Sequence, residues 1–325
     1  MISYLKATAV LLDMSSPLKV LSLFSGCGGL DYGFHHNSAF SVEKAFDSMK
    51  YAVDVYNANY ETEGVDVVGE VLDVQELLNE NDKIHFSPDI IIGGPPCQDF
   101  SVAGTMQLGT RANLTKVFTD IVVKYKPKYF VMENVPTIKT VGKQIYDSVL
   151  DQFKYAGYEV SSVMVHMPDY GVPQMRKRMI VIGVLGSGST TIMQMLIERK
   201  DNVKSLREYI QKTGINFNLD GKEHVYRHPC NYSRRGVISI DELYPTVRGV
   251  LRKMPPTYNF HENDTCKTRE GVLNPTWQFA ALIQTFPSDF KFGPKNNALI
   301  IGNSVPPKFS KILAEVISQF HSQAV

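Results

Sequence analysis

Residues 21–30 read LSLFSGCGGL, a short apolar run that changes into a glycine-rich turn. The run predicts a β-strand, and the glycines predict a turn into a helix, where missing side chains let a ligand approach the backbone closely. Asp47 follows roughly 20 residues later, at the end of the next expected strand, in a position suited to ribose hydroxyls. A nicotinamide site or a tight structural turn has the same spacing, so this segment alone leaves the ligand open.

Outward from this turn, β-rich runs alternate with longer amphipathic stretches as far as about residue 185. The apolar runs lie at 20–24, 90–92, 129–132 and 179–182. Helical spacing of apolar residues occupies 49–59, 114–124 and 145–155. Near-continuous apolar runs are typical of strands that are covered on both faces. The pattern predicts an α/β fold with a doubly wound, mostly parallel sheet.

The composition changes at the GSGS stretch of residues 186–189, after which the chain is polar, basic and irregular. This change predicts a second, smaller domain. Near the end of the chain an apolar helix is predicted at 309–320, and we expect it to pack on the first domain. The predicted boundaries are 1–185 for the first domain, 186–272 for the small domain, 273–295 for a hinge and 296–325 for the return to the first domain.

Composition narrows the class of protein further. With 325 residues, 43% of them hydrophobic, the chain can bury a large core. A formal net charge of +1 means that local clusters of Lys and Arg would have to hold any nucleic acid. The four cysteines lie far apart, which favours a reducing compartment and no zinc site. The apolar stretch at 7–12 is too short for a signal sequence or a membrane span, and we expect a cytoplasmic protein without metal.

A second motif, GGPPCQDFS at residues 93–101, directly follows the apolar run at 90–92. It places Cys97 at the carboxyl edge of the predicted sheet, where open α/β folds bind their ligands. The paired prolines restrict the backbone and set the direction of the following side chain. A lone cysteine is more often a buried apolar residue, but the Pro-Pro-Cys-Gln setting favours a nucleophile that faces the substrate.

Five motifs in order make the chain similar to the DNA cytosine-5 methyltransferases of the prokaryotic restriction-modification type. They are the glycine-rich turn, PPCQ at 95–98, MENVP at 132–136, QMRKR at 174–178 and GNSVP at 302–306. The resemblance covers nearly the whole chain. It implies a class I, Rossmann-like methyltransferase with a small target-recognition domain, which transfers a methyl group from S-adenosylmethionine to carbon 5 of cytosine in a specific duplex DNA sequence, leaving S-adenosylhomocysteine.

The resemblance also implies four catalytic residues. Cys97 would add to carbon 6 of a flipped-out cytosine, and Glu133 would hydrogen-bond the base, although a helix-capping carboxylate is an equal alternative without the resemblance. Arg176 and Arg178 alternate along a predicted strand entry and are expected to point to one face, toward the base, Glu133 or the flanking phosphates. A solvated charge at the sheet edge is the alternative for these arginines.

The implied cofactor residues come from several motifs, with Asp47 assigned to the ribose, Glu70 to the adenine amine and the glycine-rich turn to the methionine end. They are Phe24, Gly26, Gly28, Gly29, Leu30, Asp47, Glu70, Pro95, Leu114 and Asn303. Two of them depart from the family pattern, because Asp47 stands where Glu is usual and Glu70 where Asp is usual. Residues 274–281 depart as well, since they lack the usual arginine and glutamate.

A flipped base needs contacts that replace its lost stacking, and the glycine-punctuated stretch at 102–111 is expected to close over it as a lid, with a surface loop as the alternative. The locally basic region 222–253 is expected to read the sequence, although a generic solvated face has a similar composition. The predicted DNA-binding residues are Ser101, Gln107, Arg111, Arg227, Arg234, Arg235 and Arg248. We expect a monomer that acts on double-stranded DNA, with a separate cognate endonuclease as a further partner.

Three other functions compete with this interpretation. A tRNA-directed cytosine-5 methyltransferase shares the cysteine chemistry, but the size of the variable region and Gln98-Asp99-Phe100-Ser101 favour DNA. An inactive DNA-binding regulator would not need the complete set of Cys97, Glu133 and the two arginines. A nicotinamide oxidoreductase explains the glycine-rich turn but not Pro-Pro-Cys-Gln.

Overall fold

The computed structural model describes residues 16–61, 68–79, 83–96, 114–229 and 234–324. The strands in this part of the chain are β1 (Leu18–Leu23), β2 (Phe40–Asp47), β3 (Gly69–Val71), β4 (Ile90–Gly93), β5 (Tyr129–Asn134), β6 (Tyr158–His166), β7 (Gln174–Met175), β8 (Lys177–Leu185), β9 (His224–Tyr226), β10 (Val237–Ser239), β11 (Tyr244–Pro245) and β12 (Val272–Leu273). The helices are α1 (Tyr32–His35), α2 (Lys50–Tyr60), α3 (Leu114–Tyr125), α4 (Lys143–Tyr155), α5 (Ser189–Glu198), α6 (Leu206–Thr213), α7 (Trp277–Ile283), α8 (Asn297–Asn303) and α9 (Pro307–Ala324).

The central sheet has seven strands in the order β3-β2-β1-β4-β5-β8-β6. Strands β1 to β5 pair in parallel, whereas β8 is antiparallel to both of its neighbours. The mostly parallel sheet is therefore confirmed, with one reversed strand that the pattern did not predict. β6 and β8 are joined by a connection that contains a short 3-10 turn at Met167–Asp169 and the two-residue strand β7, and an antiparallel pair needs no crossover helix.

The apolar runs that predicted strands form the interior of this sheet, as β1, β4, β5 and β8. Ile90 and Ile92 belong to the core on one face, and Ile91 to the core on the other. Successive strand residues point to opposite faces, so a strand covered on both sides needs an unbroken apolar run. The predicted helices are confirmed as α2, α3 and α4, with ends shifted by one or two residues.

Helices cover both faces of the sheet. α3 and α4 pack together on one face, and α9 packs against α1 and α5 on the other. The last helix thus returns to the central sheet, where the Tyr129 hydroxyl hydrogen-bonds the His321 ring at 3.0 Å. This return places the α8–α9 connection beside the glycine-rich turn after β1.

The polar region carries a small sheet with the order β10-β9-β12, and β11 pairs in parallel with β7. Tyr226, Val237, Tyr258 and Val272 form a local apolar cluster under the small sheet. Val225 and Ile238, from the same strands, belong instead to the core of the central sheet. α5, which follows the boundary predicted at residue 186, packs against β6 and β8. The domain boundaries themselves stay predictions.

Candidate active site

A cavity of about 580 Å³ opens at the carboxyl edge of the parallel strands, where β1, β2, β4 and β5 end. This volume lies within the range of small-molecule and cofactor sites. Many of the residues selected from the sequence line it. They are Phe24, Gly26, Gly29, Leu30, Asp47, Pro95, Glu133, Arg178 and Asn303.

The turn after β1 bends sharply around one carboxylate. Phe24 and Gly26 have positive φ angles of 54° and 57°. The Gly26 amide donates to Asp47 Oδ2 and the Met49 amide to Asp47 Oδ1, each at 2.8 Å. Burial raises the pKa of Asp47, and the two backbone amides oppose the rise. A β-carbon added to Gly26 would meet no atom within 4 Å, so this glycine leaves open space toward the cavity.

Three of the predicted cofactor residues do not line the cavity. Gly28 (φ 85°) lies against the rings of Tyr56 and Tyr60, with which a β-carbon would collide. Glu70 forms an ion pair with Lys44, and its side chain is 44% exposed. Leu114, the first residue of α3, packs against the core beneath that helix. The structure therefore does not bring Gly28, Glu70 and Leu114 together with the other seven residues.

Glu133 and Arg178 face each other in the cavity. Arg178 Nε lies 2.8 Å from Glu133 Oε1, and the two side chains are only 15% and 10% exposed. A β-carbon on Gly94 would come within 3.3 Å of Glu133 Oε2, so the glycine that precedes Pro95 makes room for the carboxylate. The 3-10 turn that follows β5 begins after Val135 and has no side-chain cap. Glu133 is therefore a cavity residue and not the helix cap considered as an alternative.

The reversal of β8 explains how Arg178 reaches this position. Because β8 is antiparallel to β5, its first residues lie beside the carboxyl end of β5, with Asn134 opposite Met179. A parallel strand would begin at the other edge of the sheet. The antiparallel strand thus brings an arginine near its own start into the cavity.

Arg176 does not share a face with Arg178, contrary to the expectation from alternation. It is 1% exposed, and its guanidinium donates to the Gly302 and Ser304 carbonyls, each at 3.1 Å. Burial lowers the pKa of Arg176 to about 9. Its amide donates to the Gln174 carbonyl at 2.8 Å, because the backbone turns between β7 and β8. Strand alternation is broken at this turn, so the two side chains diverge.

Cys97, Ser101, Gln107, Arg111 and the predicted lid at 102–111 lie outside the described residues. The chain can be followed through Pro95 and Pro96, which both line the cavity. Asn134 Nδ2 donates to the Pro95 carbonyl at 3.3 Å. Pro95 and Pro96, the last described residues before Cys97, thus lie at the cavity wall.

In the basic region, His228, Arg248 and Arg252 line a separate cavity of about 430 Å³. Arg227 and Arg248 also line a smaller adjoining cavity with Tyr244. Arg235 forms a two-point ion pair with Glu242, whereas Arg234 is exposed. The roles of these arginines in DNA binding stay predictions.

Several cavity residues escaped selection although they neighbour selected ones. Ser304 and Val305 follow Asn303, and Asn134 follows Glu133. Both groups lie within the motifs GNSVP and MENVP, so the signal was present but did not indicate which members face the ligand. In the part of the chain that the structure describes, no three His, Cys, Asp or Glu side chains are grouped to bind a metal. No described helix is both long and apolar enough to span a bilayer.

Comparison with known proteins agrees with this geometry. The C-5 cytosine-specific DNA methylase family matches residues 18–319, and the chain belongs to this family. It is a DNA cytosine-5 methyltransferase, as the order of the motifs predicts.

Curated relatives are similar over nearly the whole chain. The type II methyltransferase M.HindV of Haemophilus influenzae is 37% identical over 317 residues, which cover 95% of this chain and 99% of the relative. The type II methyltransferase M.HgiDI of Herpetosiphon aurantiacus is 36% identical, with coverage of 94% and 96%.

Solved structures share the fold. A putative DNA modification methyltransferase encoded within an E. coli prophage aligns with a TM-score of 0.64 at 21% identity, covering 94% of this chain and 99% of that one. The S. pombe Dnmt2 methyltransferase aligns with a TM-score of 0.63 at 17% identity, with coverage of 95% and 99%. At these identities the structural similarity shows the fold alone.

Proposed function

We propose that this chain transfers the methyl group of S-adenosylmethionine to carbon 5 of a cytosine within a specific duplex DNA sequence, as the modification enzyme of a type II restriction-modification system. The observation that carries the proposal is the shielded Glu133–Arg178 pair in a glycine-lined cavity, beside the segment that leads to Cys97. The names of the two curated relatives support the restriction-modification context. An enzyme of this kind works where bacterial chromosomal DNA lies, in the cytoplasm.

The residues of the cavity fit S-adenosylmethionine. Gly26 presents backbone without a side chain to open space, which suits the close approach of a methionine moiety. Each Asp47 oxygen accepts one backbone amide and keeps a second lone pair for a ribose hydroxyl. Asn303 is exposed on the opposite wall. The cofactor supplies an electrophilic methyl group, and these residues would bind and orient it.

The remaining steps belong to the chain's own side chains. Cys97 would attack carbon 6 of the flipped-out base, which breaks the double bond between carbons 5 and 6 and makes carbon 5 nucleophilic. Once carbon 5 carries the methyl group, loss of its proton to solvent would expel the Cys97 thiolate and restore the double bond. Glu133 would protonate or hydrogen-bond ring nitrogen 3 and hydrogen-bond the exocyclic amine, while Arg178 pairs with its carboxyl and stabilises developing negative charge on the base oxygen. The shielding of this pair from water strengthens both interactions.

DNA recognition is proposed for the small domain at 186–272 and for the lid at 102–111. Ser101, Gln107, Arg111 and Arg227 would contact phosphates or bases around the flipped nucleotide, as would Arg234, Arg235 and Arg248. The enzyme would act as a monomer on double-stranded DNA, and a separate endonuclease would cut the same sequence when it is unmodified.

The direct test is to incubate the protein with labelled S-adenosylmethionine and either duplex DNA or tRNA, and to map 5-methylcytosine by bisulfite sequencing. We expect methylation of DNA at one short sequence, and none with a Cys97→Ser variant that still binds DNA. Methylation of tRNA alone, or full activity of Cys97→Ser, would contradict the proposal.

A further inference from the structure

Arg176 lies at the centre of a buried polar cluster behind the cavity. Its Nη1 donates to the Gly302 carbonyl and its Nη2 to the Ser304 carbonyl, each at 3.1 Å. Nη1 also lies 3.5 Å from the Val247 carbonyl. The Arg176 side chain therefore contacts two segments that are far apart in sequence. One is 302–304, and the other is 247–252, which it contacts at Val247.

Two buried glutamines continue the same cluster. Gln284 Nε2 donates to the Ser304 carbonyl, and Gln174 Nε2 donates to Gln284 Oε1, both at 2.5 Å. Gln174 Oε1 accepts the Val247 amide at 3.1 Å. Both glutamines are fully buried. A buried network of this kind is costly to disturb, because each lost partner leaves a polar group without water or protein to replace it.

The two joined segments face different ligands in the proposed function. Asn303 and Ser304 line the cofactor cavity, and a β-carbon on Gly29 would collide with the Val305 carbonyl, so the segment 302–305 lies directly on the glycine-rich turn. The segment 247–252 carries Arg248 and Arg252, which line the basic cavity. A β-carbon on Gly302 would collide with the backbone of Arg248 and Gly249, so the two segments are in backbone contact.

We propose that Arg176 is a positioning residue that fixes the 302–304 wall of the cofactor cavity against the basic segment 247–252, so that cofactor binding and DNA binding depend on each other through its guanidinium. The inference rests on the proposed function. It assigns Arg176 a task that differs from that of Arg178, which faces the reacting base. Binding of either ligand orders the segment that the other one contacts, and such coupling is reciprocal.

The test measures the Kd of S-adenosylhomocysteine with and without a duplex carrying the mapped target site, for wild type, Arg176→Met, Arg176→Lys and Gln284→Met. The matched control is Arg178→Met. For the wild type, we expect DNA to lower the Kd of S-adenosylhomocysteine about tenfold. S-adenosylhomocysteine should lower the Kd of DNA by the same factor. Arg176→Met should lose both this coupling and about tenfold in cofactor affinity, and Arg176→Lys should recover part of each.

Arg178→Met should lose methyl transfer at saturating cofactor but keep the wild-type coupling factor between cofactor and DNA. Arg176→Met with unchanged coupling, or with a defect in the transfer rate alone, would overturn the inference, as would a wild type without coupling. If Arg176→Met does not fold, as judged by its thermal unfolding, Arg176→Lys and Gln284→Met decide by the same criteria. Wild type that binds DNA and cofactor but forms no 5-methylcytosine would contradict the proposed function instead.

Discussion

The Glu133–Arg178 ion pair is the most chemically specific contact in the cavity. Both side chains are largely withdrawn from water, and breaking such a pair leaves an uncompensated charge. One carboxylate oxygen lies beside the Arg178 guanidinium, and Gly94 leaves space for the other. A base that enters the cavity meets a carboxyl that is already positioned.

Glu133→Gln should lower the rate of methyl transfer by at least about 100-fold, because the amide keeps the shape of the side chain but can no longer protonate ring nitrogen 3. Single-turnover kinetics with saturating DNA and cofactor measure the effect. Glu70→Gln is the matched control, since Glu70 lies outside the cavity beside Lys44, and its rate should stay within about twofold. A large loss of cofactor affinity in Glu70→Gln would instead indicate that Glu70 contacts the cofactor.

Asp31 makes the stability of the protein depend on pH. It is fully buried, and burial raises its pKa from 3.8 to about 6, although the Tyr56 hydroxyl, which donates to Asp31 Oδ1 at 3.0 Å, opposes the rise. The folded protein thus holds this proton more tightly than the unfolded chain does. The contribution of Asp31 to stability is complete below about pH 4 and is lost as the pH rises through about 6.

Asp31→Asn should remove that loss, so its free energy of unfolding relative to wild type should increase by about 2 kcal/mol between pH 4 and pH 7. Urea unfolding across this pH range provides the comparison. Asp54→Asn, which changes an exposed carboxylate paired with Lys50, serves as the control and should leave the pH dependence of wild type unchanged. Parallel pH profiles for Asp31→Asn and wild type would exclude a raised pKa at Asp31.

At the level of elements, the turn between β1 and α1 forms one wall of the cavity. Its backbone is bent by positive φ angles at Phe24 and Gly26 and is held by Asp47 at the end of β2. Strained backbone of this kind persists only where its surroundings hold it, and it is frequent at ligand sites. The two parallel strands thus end at the same cavity.

Gly26→Ala should weaken S-adenosylhomocysteine binding by tenfold or more, because its methyl group would occupy the open space that the glycine leaves. Calorimetric titration measures the affinity. Gly221→Ala is a close control, because Gly221 also has a positive φ, of 66°, and no neighbour within 4 Å, but does not line the cavity. Both variants should lose about 1–2 kcal/mol of stability from backbone strain. Equal cofactor affinities of the two variants would contradict a cofactor-binding role for Gly26.

For the molecule as a whole, a net charge of +1 makes DNA binding depend on local charge. Two adjacent arginines that the sequence does not distinguish have different surroundings in the structure. Arg234 is exposed, whereas Arg235 is held by Glu242. Arg234 is therefore the better candidate for a phosphate contact, and Arg235 has a structural partner that DNA would have to replace.

Arg234→Ala should weaken DNA binding and reduce the slope of log affinity against log salt concentration by about 1, as expected for the loss of one phosphate contact. Fluorescence anisotropy over a range of salt concentrations measures the slope. Lys154→Ala on α4 is the control for a change of surface charge away from the basic region. Equal slopes for the two variants would contradict a phosphate contact at Arg234.

Much of the central fold and part of the cavity were predictable from local sequence. Buried strands require continuous apolar runs, and the glycine-rich turn, Pro95 and Glu133 lie directly after such strands, so their place at the carboxyl edge follows from the pattern. Glu70 shows the limit of this reasoning. The family pattern predicted that Glu70, in β3, contacts the cofactor, but its carboxylate pairs with Lys44 and does not line the cavity.

What the residue order decides without tertiary information is the class of sheet, the edge at which ligands bind and the family of the enzyme. Each of these depends on short-range patterns, namely apolar runs, glycine turns and ordered motifs. The different positions of Arg176 and Arg178 could be determined only from the folded chain. The turn between β7 and β8 breaks the alternation, and the reversed strand β8 directs Arg178 to Glu133, while Arg176 meets carbonyls contributed by residues more than a hundred positions away. Contacts over such distances arise only when the last helices return to the sheet, and no local pattern encodes them.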